Sequence, residues 1–176
     1  NVYNPLAAYA PAIRLGLDKA KCAAALSNYE ATGMRQHVVK KAGLTVVEDC
    51  YNASPDSMKA SLAMFSALDA GSGKKYALLG DMLELGAISE DAHRQVGRWA
   101  ADAHLAGLVA LGPESRAMAE EAEKAGLAAV HCDTPAAALA ALKGLLKPGD
   151  ALLAKASRGM KLENILKALY GEETLQ

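Results

Sequence analysis

The chain has 176 residues, 52% apolar and 22% charged, with 19 Lys and Arg against 20 Asp and Glu. That is enough chain for a domain with a substantial core, and too apolar for wholesale disorder. The net charge of −1 lacks the basic surplus expected for nucleic acid or an anionic membrane surface, and no apolar run approaches the roughly 20 residues that span a bilayer.

Residues 1–28 read as two short Ala-rich helices. Asn4 and Pro5 suggest an N-cap followed by Pro at the first helical position, and Leu6, Tyr9, Ala10, Ile13 and Leu17 recur with helical period. Pro11 is expected to kink or shorten that helix. Asp18 opens the second, with Cys22, Ala25, Leu26 and Tyr29 on one face. Two helices cannot bury such faces alone, so the segment needs another body to pack on. Residues 30–36 are polar, contain Gly33 and read as a linker.

From residue 37 strands and helices alternate. Runs at 36–40 and 44–48, separated by Lys41, Ala42 and Gly43, predict a hairpin. A helix follows at 55–69, with Ser54 as cap, Pro55 at its start, and Met58, Leu62 and Phe65 facing inward. The pattern continues with strand 76–79 and helix 89–106, strand 108–111 and helix 113–126, then strand 128–131 and helix 135–147 behind Thr134 and Pro135. Strand 151–154 and helix 160–170, ended by Gly171, complete it. Five strand–helix units predict an α/β fold: a doubly wound, mostly parallel sheet with an antiparallel edge hairpin. The 38 Ala residues suit close helix–sheet packing.

Ligands of such sheets bind beyond the carboxyl ends of the strands. The loops leaving those ends are DCYNASPDSM (49–58), GDMLELG (80–86), GPES (112–115), CDT (132–134) and KASRG (155–159). Singly, Asn52, Ser54 and Asp56 read as turn and cap residues, Asp81 as a backbone cap, and Lys155 and Arg158 as a solvated rim. Together they place carboxylates and cations on one rim, which suits a zwitterionic ligand such as an amino acid or peptide. No G-x-G-x-x-G follows a strand, and neither a Walker A sequence nor a G-x-S-x-G elbow occurs. Cys22, Cys50 and Cys132 are odd in number and far apart, which reads as buried thiols in a reducing compartment. His37, His93, His104 and His131 show no metal-ligand spacing and read as structural or exposed. Asp49, Asp81 and Lys155 also mimic a receiver domain, a reading that leaves residues 1–28 and GDMLELG without a role. The first residue is Asn1, with no signal-peptide pattern behind it, as expected of a piece of a longer chain.

In order, N-x-x-N-x-x-A-A (1–8), TGMR (32–35), EDCYNASPDSM (48–58), GDMLELG (80–86) and KASRGMKLE (155–163) resemble the C-terminal part of a Mur ligase. The likeness covers essentially the whole chain. The pairing of D-x-Y-N-x-x-P-x-S-M with G-D-M-x-E-L-G resembles the branch of that family that adds D-Ala-D-Ala to UDP-MurNAc-tripeptide. The resemblance implies a cytoplasmic, monomeric, ATP-dependent amide ligase of three domains. Residues 1–35 would be the tail of its central ATP-binding domain plus linker, and 36–176 its Rossmann-like C-terminal domain. The P-loop, the Mg²⁺ ligands and the UDP-sugar pocket would lie upstream, leaving this chain inactive alone. ATP would phosphorylate the tripeptide carboxylate, and the dipeptide amine would attack the acyl phosphate.

By the same resemblance Asn4 would contact adenine, Arg35 the ATP phosphates on domain closure, and Asp49 the ribose. Asn52, Asp81, Glu84, Ser157 and Arg158 would hold the incoming dipeptide, with Arg158 at its carboxylate. Arg35 and Lys155 would be the catalytic residues, Lys155 either serving the dipeptide or lining the rim. The chain departs from the family pattern in carrying Ala156 where Gly is common, and in placing Met34 between Gly33 and the linker arginine.

Overall fold

The computed structural model describes residues 3–28 and 34–172, without the side chains of residues 3 and 4. The adenine contact expected of Asn4, the inward face expected of Tyr29 and most of the linker therefore lie outside the described residues. The chain divides into two compact units, 1–32 and 33–176.

The first unit holds α1 (Tyr3–Arg14) and α2 (Lys19–Ser27). Asn4 is inside α1 and not its cap; Pro5 is accommodated because amides of the first turn have no intrahelical acceptor. Pro11 does not end the helix, which runs on to Arg14. The carbonyl that loses its Pro11 partner belongs to Ala7, which is exposed, so water can satisfy it. The Asp18 carboxylate caps α2 by accepting the Lys21 N–H at 2.9 Å. No residue of α2 is buried, and Leu6, Leu15 and Leu17 stand exposed.

In the second unit, β1 (His37–Lys41) and β2 (Leu44–Asp49) pair antiparallel. The turn is shorter than expected, Ala42 and Gly43 alone, at φ 51° and 76°; two left-handed residues match the twist of the strands. Parallel strands β3 (Lys75–Gly80), β4 (Gly107–Leu111), β5 (Ala129–Cys132) and β6 (Ala151–Lys155) complete a sheet of order β1-β2-β6-β3-β4-β5. Helices α3 (Pro55–Ala67), α4 (Ser89–Asp102) and α5 (Ser115–Lys124) cover one face. Helices α6 (Pro135–Leu145) and α7 (Leu162–Tyr170) cover the other. The doubly wound architecture is as expected. Helix α4 stops short of 106 because Ala106 gives its N–H to the Lys75 carbonyl, which draws the chain into the sheet.

Side-chain alternation sorts two cores. Val47, Ala77, Leu79 and Leu153 pack against Met58, Leu62 and Phe65 of α3 and Val96 of α4. Val46, Leu78, Val109 and Leu152 pack against Leu142 of α6 and Ile165 of α7. Each large side chain so buried contributes about 1.5–3 kcal/mol. Strand β6 lies between β2 and β3, yet its following helix covers the opposite face from theirs. The crevice of this fold therefore opens on both sides of the β6 carboxyl end.

Candidate functional site

The register of β2 and β6 sets Asp49 directly opposite Lys155, both on the α3 side of the sheet. Lys155 Nζ lies 2.8 Å from Asp49 Oδ2 and donates to the Asn52 carbonyl at 2.8 Å. Ser61 of α3 donates its hydroxyl to Asp49 Oδ2 at 2.6 Å, and the Gln36 amide reaches Oδ1 at 3.2 Å. Asp49 and Lys155 are both buried. This ion pair ties together β2, β6, α3 and the 50–54 loop, so the two charges expected on the rim largely cancel beneath it.

Asp81 is also buried, and Oδ1 accepts the Ser115 N–H at 2.8 Å, capping α5 from outside. Its carboxylate fills the space beside Gly112, where a Cβ would fall 2.4 Å from Oδ2, on backbone at φ 110°. Ser157 is a cross-link: its N–H donates to the Asp81 carbonyl at 3.0 Å and its Oγ accepts the Leu83 N–H at 2.9 Å. From below, buried His93 accepts the Met82 N–H at Nε2, 3.0 Å away; its proton therefore sits on Nδ1, which faces the Ser89 carbonyl at 2.7 Å. Glu84 projects into solvent at the corner of this loop, with φ 66°. Across the crevice Gly80 and Ala156 are complementary: a Cβ at 80 would sit 2.9 Å from the Ala156 methyl. That accommodates the alanine where the family commonly has glycine.

The rim itself carries Arg35, Tyr51, Asn52, Leu83 and Arg158, all exposed. Asn52 turns its Oδ1 onto the Ala53 N–H, leaving its amide group outward. Arg158 Nη1 lies 3.0 Å from Glu163 Oε1 and 3.4 Å from the Met34 sulfur. The Arg35 guanidinium rests 4.0 Å from the Tyr51 ring centroid and pairs with no carboxylate among the described residues. The open rim thus carries the cation of Arg35 and, at the corner of the next loop, the carboxylate of Glu84. Tyr51, Ser61 and His93 were not singled out for the site. Ser61 and His93 carry a detectable signal, each being polar on an inward helical face otherwise apolar.

Beneath the rim Cys50 donates to the Ala154 carbonyl at 3.4 Å. Burial, and then the carboxylates of Glu163, Glu48 and Asp49, push its thiol up to about 12 from an ordinary value of 9.0. Burial likewise raises Tyr170, whose hydroxyl donates to Glu48 at 2.8 Å. Between pH 9 and about 12 the unfolded chain sheds the Cys50 proton while the folded chain keeps it, so stability falls as pH rises. The loss is about 1.4 kcal/mol per pH unit. Stability from urea unfolding at pH 9, 10 and 11 should fall with pH, Tyr170 adding to the Cys50 contribution from about pH 10, and Cys50→Val should reduce the slope; an equal slope in the variant would assign the loss elsewhere.

Among the described residues no group of three or more His, Cys, Asp or Glu is placed to hold a metal ion. No described helix is long and apolar enough to cross a membrane. A family model, "Mur ligase, glutamate ligase domain", matches residues 34–158. The UDP-N-acetylmuramoyl-tripeptide--D-alanyl-D-alanine ligase of Bacillus subtilis is 39% identical over 174 residues, covering 96% of this chain and 37% of its own length. A crystal structure of MurF from Acinetobacter baumannii superposes with a TM-score of 0.85 at 30% identity, covering 97% of this chain and 37% of that one. MurF ligase from Thermotoga maritima in complex with ADP gives 0.73 at 27% identity, covering 93% of this chain and 36% of that one. The chain thus spans well under half the length of the relatives it matches. On the family match, supported by these folds, the chain belongs to the Mur ligase family.

Proposed function

We propose that this chain is the C-terminal part of an ATP-dependent ligase that joins D-Ala-D-Ala to UDP-MurNAc-tripeptide in peptidoglycan synthesis. The observation that carries the reading is likeness along nearly the whole chain to ligases named for that reaction, at 39% identity in one case. Residues 1–35 are then the end of a central ATP-binding domain plus linker, and 36–176 the domain that brings the dipeptide. A cytoplasmic monomer belongs to the same reading.

The chemistry is amide formation from an acyl phosphate, so the work of this chain is positioning and charge neutralisation. Arg35, exposed and paired with no carboxylate among the described residues, meets the phosphates. Arg158 exchanges Glu163 for the carboxylate of the dipeptide, a charge-assisted contact of the same kind. Glu84 lies at the mouth to accept an N–H of the amine, which attacks only when neutral, and the outward Asn52 amide donates to a dipeptide oxygen. Asp81 and Ser157 support that loop from within. Lys155 holds Asp49, and a ribose hydroxyl donates to the remaining lone pair of Asp49 Oδ1 beside the Gln36 amide. Among the described residues no carboxylate cluster is placed to hold Mg²⁺, and on this reading the ligands of that ion belong to the upstream part.

In the full-length enzyme Arg158→Ala should raise KM for D-Ala-D-Ala about 10- to 100-fold, the loss of one charged hydrogen bond, with KM for ATP nearly unchanged. Amide formation with D-Ala-D-Ala, compared with single amino acids, tests the substrate. Ligation of a single amino acid with no use of the dipeptide would move the chain to another branch of the family. The isolated chain should neither hydrolyse ATP nor form the amide.

A further inference from the structure

We propose that Tyr51 is the positioning residue for Arg35, and that residues 34–36 form a dock holding this arginine on the second unit. The assignment deepens the reading above, on which the role of Arg35 rests. Its own evidence is local. The Tyr51 N–H donates to the Met34 carbonyl at 3.2 Å, and the Gln36 N–H donates to Asp49 Oδ1 at 3.2 Å, so the backbone is fastened on both sides of Arg35. Met34 and Gln36 are held at φ 34° and 50°, a left-handed region that non-glycine residues occupy only when their surroundings impose it. The Met34 sulfur also receives Arg158 at 3.4 Å. The extra residue between Gly33 and the arginine is therefore the anchor of the dock.

Between these two anchors the Arg35 guanidinium sits 4.0 Å from the Tyr51 ring centroid. A guanidinium held over an aromatic ring keeps its charge, and with no carboxylate paired to it among the described residues its N–H donors can serve a phosphate or carboxylate. The neighbouring cations are engaged differently, Lys155 by Asp49 and Arg158 by Glu163. Tyr51 confines Arg35 without neutralising it.

The test compares Tyr51→Phe and Tyr51→Leu in the full-length enzyme, each with Arg35 and with Arg35→Ala. Phe keeps the aromatic face and should keep kcat, while Leu should lower kcat about fivefold at saturating ATP, a loss on the scale of an exposed cation–π contact. In the Arg35→Ala background Leu should add nothing. An equal fall in both backgrounds would overturn the assignment. A second readout needs no activity: trypsin cleavage after Arg35, followed by mass spectrometry on the folded protein. Cleavage should be faster in Tyr51→Leu than in wild type or Tyr51→Phe, and equal rates in all three would overturn the dock. Should the full-length enzyme ligate a different substrate or none, the proposed function falls while the cleavage rates still decide the dock.

Discussion

Lys155→Met should lower the unfolding free energy by about 3–5 kcal/mol, the usual penalty for leaving a buried charge without its partner. Asp49 would stay buried among Ser61, the sheet and α3, with no cation at 2.8 Å, and the Asn52 carbonyl would lose its donor as well. Urea unfolding followed by Trp99, the one tryptophan of the chain and part of α4, reads this unit directly. The double variant Asp49→Asn with Lys155→Met should recover much of the loss, because a neutral pair of similar volume removes the uncompensated charge. A loss below about 1 kcal/mol for the single variant would mean that the pair is solvated and does not clamp the strands.

Gly112→Ala should be comparably damaging, by about 2–5 kcal/mol from backbone strain and overpacking together. The new methyl would fall on the Asp81 carboxylate, 2.4 Å from Oδ2, at φ 110° where a side chain is itself disfavoured. Moving Asp81 releases the Ser115 N–H that starts α5 and loosens the loop carrying Leu83 and Glu84. Adding Asp81→Ala should remove the collision but leave the backbone strain, giving partial recovery of thermal stability. Unchanged stability in Gly112→Ala would show that the loop shifts freely and that Asp81 does not hold it.

What was legible in the sequence was local. Ser54 with Pro55, Thr134 with Pro135, Asp18 and Gly171 mark helix ends through contacts within a few residues, and all four act there. Short apolar runs between helical stretches marked the strands for the same reason. The strand-end loops leave the sheet along one edge, as parallel strands require. What could not be read was which charges on that edge remain open. Asp49 and Asp81 look alike as acidic residues at strand ends. One is neutralised by Lys155 because β6 pairs with β2, and the other spends its carboxylate on α5 because β4, which leads into that helix, pairs with β3. The first pairing joins residues about a hundred positions apart, and no periodicity carries either. Arg35 was marked only through family likeness, and its stack on Tyr51 depends on two left-handed residues that no propensity favours.

The place of β6 bears on how the domain assembles. Strands β2 and β3 are made early and sit on either side of a gap that only residues 151–155 fill. Until that late segment is available, a chain emerging from its N-terminal end cannot zip its sheet shut, and the apolar edges of β2 and β3 stay open to other molecules. Folding should then wait on a long-range closure, the slow step expected of parallel topologies. The segment that completes the sheet also delivers Lys155, Ser157 and Arg158, so a molecule that has not finished folding lacks the far side of the rim with which it would capture a ligand.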